Sequence, residues 1–145
     1  MSMRIVDAHM HVWPALCGTR QGSIVTRGDR YGKVRRVGDK VERWLPPSFV
    51  DTVPSPEIAL EYMSIAGVDK AVLLQAPCYG DHNEYIAEVA KAHSDTFAGI
   101  AIVDPRQPDK GVGALEKAIR QYGLSGVKFE LPDWPFHPDH DEYRP

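Results

Sequence analysis

Arg4–Trp13 reads RIVDAHMHVW, and the reading of this stretch decides the fold. An apolar run, Arg4–Ala8, passes directly into Asp-x-His-x-His. In a strand, residues i and i+2 share a face. Asp7, His9 and His11 are therefore expected on one side, with Val6, Ala8 and Met10 on the other. Two imidazoles on one face at a strand end can bind a divalent ion through nitrogen at about 2.0–2.1 Å. The competing reading is two packing or loop histidines, because H-x-H alone is a weak pattern. The remainder of the chain decides between them.

Three more β-rich runs lie downstream, Lys70–Gln75, Ala98–Val103 and Ser125–Leu131. Each is a nearly continuous apolar run, the mark of strands covered on both faces. Helical stripes alternate with them. Ser55–Ala66 has Pro56 in its first turn, Glu57 near its start and Gly67 closing it. Asp81–His93 places Tyr85, Ile86, Val89 and Ala90 on one face, with Asp81 as its expected N-cap. Asp109–Tyr122 repeats the stripe with Val112, Leu115, Ala118 and Ile119, ahead of Gly123. The last three strands start roughly 27 residues apart, about one βα unit of a parallel sheet. The pattern predicts an α/β fold with right-handed crossovers.

Strand ends carry the polar residues. Gln75 ends the second strand, Asp104 the third, and Lys128 and Glu130 lie on the fourth. In parallel α/β sheets and barrels, ligands bind at the carboxyl ends of the strands. Lys128, inside GVKFEL, needs a partner, since burying an unpaired charge is costly; Glu130 or a metal-bound carboxylate is expected to supply it. The plainer roles are turn capping for Asp104 and backbone satisfaction for Gln75.

Residues 12–54 form an insertion much longer than an ordinary βα loop, which points to function or internal structure. Tyr31–Val37 and Val41–Leu45 around Gly38 and Asp39 predict a hairpin. Its basic residues, from Arg30 to Arg43, alternate with Tyr31, Val34, Val37 and Val41 and predict a solvated hairpin, polar on both sides.

Composition narrows the class. The chain has 145 residues, 43% hydrophobic and 26% charged, ordinary globular usage that supports one domain over 1–145. A net charge of −3 with scattered basic residues gives no nucleic-acid or membrane-surface footprint. Cys17 and Cys78 lie far apart, so no disulfide framework or zinc ribbon is implied. Met1–Arg4 leads into a strand without a leader-like pattern, and Ala71–Leu74 with its flanks is too short to span a bilayer, so a cytoplasmic location is expected.

VDAHMHVW (Val6–Trp13), GVDKAVLLQ (Gly67–Gln75), NEYIAEVAKAHSDTFAGIAIVDP (Asn83–Pro105) and GLSGVKFEL (Gly123–Leu131) together resemble the amidohydrolase superfamily, in its amidohydrolase-related branch. The first motif is specific; the others add order and spacing. The resemblance implies a (β/α)8 TIM barrel, present here as roughly its first four βα units, with the insertion 12–54 after strand one. It implies His9 and His11 as ligands of a divalent ion, zinc first, manganese or magnesium otherwise. Histidines on a fifth and a sixth strand and an aspartate on an eighth would complete that site. The expected partners are a small-molecule substrate and either a second copy of the chain or the C-terminal half of the barrel.

The implied activity is hydrolysis of a lactone or similar cyclic ester. The alternatives are metal-dependent, non-oxidative decarboxylation of an aromatic or enoic acid, or an inactive half-barrel. Lys128 is the candidate catalytic group, and Trp13, Gln75, His82 and Lys128 are the candidate substrate contacts, with Arg20 a further one. His93, late in its helix, is expected to be structural. His137 and His140, spaced H-x-x-H beside Asp139 and Asp141, are expected to lie in a loop after strand four.

Overall fold

A computed structural model describes residues 3–20, 24–25, 27–131 and 134. Strand β1 (Val6–Met10) opens the chain. The insertion adds short strands: β2 (Thr19–Arg20), β3 (Ile24–Val25), β4 (Arg27–Gly28), β5 (Lys33–Arg35) and β6 (Val41–Arg43). After it come α1 (Pro56–Ala66), β7 (Lys70–Leu73), α2 (Asn83–Ala92), β8 (Phe97–Gly99), β9 (Ala101–Ile102), α3 (Pro108–Arg120) and β10 (Val127–Lys128).

The expected parallel sheet is present. β1 pairs with β7 and β7 with β8, all parallel, while β9 pairs in parallel with β10. Ile100 joins the two sets: its N–H donates to Leu73 O at 3.0 Å, and the next N–H, of Ala101, donates to Gly126 O at 2.9 Å. β8 and β9 are thus one run, Phe97 to Ile102, flanked by β7 on one side and β10 on the other. The core lies between this sheet and the helices, with Leu73, Ile86, Met63, Phe97 and Leu124 buried together. Leu73 is fully enclosed, and truncating such a residue to Ala costs about 2–5 kcal/mol.

α1 starts and stops where the sequence predicts. Ser55 Oγ accepts the Ile58 N–H, Pro56 occupies the first turn, and Gly67 caps the end in the left-handed region at φ 68°. α2 differs at its start. The cap position falls on His82, which makes no side-chain cap bond, while Asp81 Oδ1 accepts the Asn83 N–H at 3.3 Å. The acidic residue still serves the helix start from one position further out.

α3 departs more from its stripe. Ala118 is buried, but Val112 is 64% exposed and Ile119 is also exposed. Only one flank of the helix meets β9, so a 3.6-residue stripe predicts a wider buried face than the described residues provide. The fourth strand is likewise shorter than Ser125–Leu131. Its ladder covers two residues, and Phe129 and Leu131 beyond it are exposed.

The hairpin is found, with Gly38 and Asp39 both at positive φ as a tight turn requires. It is not polar on both sides. Val34 is 0% exposed and packs with Trp13 and Leu16. The alternation in β5 therefore has a buried face, and an isolated Val among basic residues does not announce it. The basic residues are largely matched within the hairpin: Arg35 with Asp29 and Asp39, and Arg36 and Lys40 with Glu42.

Candidate functional site

β1 continues to Met10, so His9 lies within the strand and His11 just beyond it. The pairing with β7 shifts register between Asp7 and Met10, a bulge. Bulges re-aim side chains at strand ends. Asp7 Oδ1 accepts the His9 N–H at 2.8 Å and so braces this irregular turn of backbone. The two imidazoles come together, edge to face, with ring centroids 4.8 Å apart.

His11 Nδ1 lies 2.9 Å from Leu74 O. A carbonyl only accepts, so Nδ1 carries the hydrogen and Nε2 keeps its lone pair. Burial lowers the His11 pKa below the ordinary imidazole value. The Leu74 bond opposes that shift, while His9 and Lys128 reinforce it. A neutral ring with a fixed tautomer and a free Nε2 is the form that binds a metal ion.

Lys128 and Glu130 stand at the end of β10 and pair at 2.6 Å, with side chains 20% and 19% exposed. The partner expected for Lys128 is therefore Glu130. Both charges act on His11. The ends of β1 and β10 thus gather two imidazoles, an ammonium and a carboxylate.

The other candidates are held by the chain itself. Trp13 is 3% exposed; its Nε1–H donates to Thr52 O at 3.0 Å and its ring stacks on Tyr79 at 4.2 Å. Gln75 is 1% exposed. Its Nε2 donates to Asn83 Oδ1 at 2.8 Å and to Ile100 O at 3.3 Å, and its Oε1 accepts the His82 N–H at 3.1 Å. Those bonds satisfy the backbone of Ile100 and His82 and the side chain of Asn83. His82 Nε2 lies 2.9 Å from Ala15 O and 3.0 Å from Tyr79 O, which makes Nε2–H a shared donor tying two loops. Asp104 accepts from Arg106 and Gln107, and Arg106 first of all holds its carboxyl below the ordinary range. Arg20 lies in β2, and His93 caps α2 with its ring against Phe97 at 5.8 Å. His137 and His140 lie outside the described residues.

Four residues of the site escape a reading of the sequence. A cavity of about 460 Å³ is lined by His11, Trp13, Trp44, Leu45, Pro54 and Tyr79. Tyr79 also meets His11 edge-on at 5.2 Å. The available signal for Trp44 and Leu45 is an apolar pair, WL, ending a basic run just before Pro46 and Pro47.

A family model described as amidohydrolase matches residues 6–145. The chain belongs to the amidohydrolase family. Among solved structures, a 2,6-dihydroxybenzoate decarboxylase complexed with 2,6-dihydroxybenzoate is similar at 18% identity, over 63% of this chain and 35% of that one, with a TM-score of 0.51. The 2,6-dihydroxybenzoate decarboxylase from Rhizobium matches with the same values. A probable 2-pyrone-4,6-dicarboxylic acid hydrolase from Acinetobacter baumannii, with citric acid bound, is 19% identical over 91% of this chain and 43% of that one, at a TM-score of 0.48. No curated protein matches. At 18% identity the likeness to the decarboxylases shows the fold, which is of TIM-barrel type. The amidohydrolase chain spans 35% of the decarboxylases' length.

Amidohydrolase-family proteins are generally metal-dependent. The residues of this chain fit part of such a site: His11 offers Nε2 and His9 stands beside it. Among the described residues no group of three or more His, Cys, Asp or Glu is placed to hold an ion. Among the same residues no helix is long and apolar enough to cross a membrane.

Proposed function

We propose that this chain supplies the first-strand metal ligands of an amidohydrolase-family enzyme that hydrolyses a lactone or similar cyclic ester of a small carboxylic or sugar acid. The observation that supports it most is the His11 arrangement, with Nδ1–H fixed on Leu74 O, Nε2 free and the ring of His9 adjacent. A divalent ion at this place, zinc first and manganese or magnesium otherwise, supplies the Lewis acidity that activates water and polarises a carbonyl near neutral pH. His9 and His11 hold it. Lys128, oriented by Glu130, attracts the anionic part of the substrate and stabilises negative charge as it develops. The remaining donors come from outside the described residues, from further strands of a barrel or from a second copy.

The second reading keeps the same residues and changes the reaction to non-oxidative decarboxylation of an aromatic or enoic acid. The aromatic cavity beside His11 favours it, because flat rings suit such walls. Metal analysis of the full protein, with lactone opening and CO2 release assayed side by side, tests both. Loss of bound metal in both His9→Ala and His11→Ala is expected. Full turnover in metal-stripped protein overturns the metal-dependent reading, and CO2 release without ring opening overturns the hydrolase in favour of the decarboxylase.

A further inference from the structure

We propose that His82 is a positioning residue for the His9–His11 centre: its imidazole clasps the loops that follow β1 and β7 to one another, and so holds the Tyr79 ring against His11. This inference rests on the reading of His9 and His11 as metal ligands and adds the group that fixes their surroundings from outside.

Three observations carry it. The first is where the imidazole goes. His82 occupies the N-cap of α2, a position whose side chain ordinarily accepts a helix N–H, and it makes no such bond. Its Nε2 lies instead 2.9 Å from Ala15 O and 3.0 Å from Tyr79 O. Both partners only accept, so the hydrogen is on Nε2 and one N–H bridges two loops. Ala15 stands just beyond Trp13 and Pro14. Tyr79 is the residue whose ring stacks on Trp13 at 4.2 Å and meets His11 edge-on at 5.2 Å.

The second is that the clasp has a rigid base. The His82 N–H donates to Oε1 of Gln75, a buried amide that is itself bound to Asn83 Oδ1 and to Ile100 O. The backbone of His82 is therefore anchored at the end of β7, and the imidazole carries the position of the sheet to both loops. A metal-binding histidine depends on such outer partners for its orientation.

The third is the room made for the ring. Cys17 N–H donates to Tyr79 O at 3.0 Å and Thr19 N–H to Pro77 O at 3.1 Å, so the two loops run against each other backbone to backbone. Gly80 lies in that contact at φ +117°, and a Cβ there would come 2.6 Å from Cys17 Sγ and 3.1 Å from His82 Nε2. Glycine admits the imidazole to its two carbonyls; any side chain at this position displaces it. With the clasp removed, the stretch from His11 to Cys17 is released from the Tyr79 loop. Leu74 O still fixes Nδ1 of His11, but the ring that faces it edge-on is no longer held.

His82→Asn and His82→Gln separate positioning from folding. Asparagine is a strong N-cap whose amide is too short to reach both carbonyls, whereas the longer glutamine amide offers an N–H where Nε2 stands. Zinc titrated into the full protein against a chromophoric chelator is expected to bind His82→Asn about 10–100-fold more weakly than the parent, and His82→Gln within about threefold of it. The near-UV circular dichroism of the Trp13–Tyr79 stack is expected to fall in His82→Asn and to be kept in His82→Gln. Gly80→Ala, which keeps the histidine and displaces its ring, is expected to weaken zinc binding too and serves if His82→Asn does not fold. Parent-like zinc affinity in the folded variant, or an affinity in His82→Gln as low as in His82→Asn, overturns the proposal. Zinc held as tightly in both His9→Ala and His11→Ala as in the parent instead overturns the reading beneath it. The dichroism then decides the clasp by itself, and an unchanged signal in His82→Asn overturns that as well.

Discussion

The parallel strands and the insertion meet at His11, and they are built in opposite ways. Across the strands, position comes from repetitive pairing, and polar residues gather towards the strand ends: His9 in the bulge of β1, His11 just past it, Gln75 just past β7 and Lys128 closing β10. In the insertion, the described strands are two or three residues long, and position comes from single contacts. Val34 is buried on Trp13 and Leu16, Gly32 receives two N–H groups, and Thr52 holds one indole. The difference teaches where the tolerance lies. A ladder spreads the consequence of a substitution over many bonds, whereas a bracket of single contacts concentrates it.

The largest expected effect breaks the strand side. His11→Ala removes the Nε2 donor, and the full protein is expected to lose bound metal by more than the roughly 10–100-fold seen for outer-shell partners. Elemental analysis after gel filtration checks it, and the hairpin is expected to stay folded.

Asn83→Ala comes next. Asn83 mimics a strand neighbour: its Oδ1 accepts from Ile102 N–H and Gln75 Nε2–H, and its Nδ2 donates to Ile102 O. The change orphans several buried groups at about 1–3 kcal/mol each, and chemical denaturation is expected to show a loss of roughly 2 kcal/mol or more. A loss well below that places the strength of the strand side elsewhere than in this amide.

Gly32→Ala breaks the insertion side. The left-handed φ alone costs about 1–2 kcal/mol, and the close approach of Leu45 adds to it. Trp44 fluorescence is expected to shift while metal content does not. A parallel fall in metal content would mean that the two regions are one unit.

Asp104→Asn has the smallest effect. Arg106 beside it holds the folded carboxyl below its ordinary value, so its stabilisation is present above about pH 4 and disappears as pH falls through the lower folded value. A partly exposed pair of this kind contributes about 0.2–1 kcal/mol. Melting curves of the two proteins are expected to differ at pH 7 and to converge in acid.

Much of this is legible in the sequence and some is not, for identifiable reasons. Strand and helix order comes from apolar runs and stripes, since burial on both faces leaves no other composition. The His9–His11 pair is legible because alternation carries i and i+2 to one face, although the bulge before Met10 is invisible to that rule. The N-cap of α2 falls one residue away from the expected Asp81, whose carboxylate still accepts the Asn83 N–H, because side-chain chemistry marks a helix start without fixing which residue first takes helical angles. Val34 reads as solvated in the sequence because burial on one side of a short hairpin depends on what it packs against. Gln75 and Trp13 are legible as special without their duties being legible, because a buried amide bound to Asn83 and an indole bound to Thr52 need partners 8 and 39 positions away.

By itself, then, the sequence determined the parallel α/β order, the family and the two imidazoles at the end of β1, because each depends on local periodicity or on a short motif. Tertiary structure alone decided which His11 nitrogen stays free, that the Trp13 indole is bound to Thr52, and that Trp44 and Leu45 wall the same cavity. Those outcomes depend on distances between residues dozens of positions apart, and no local pattern encodes a distance that only packing creates.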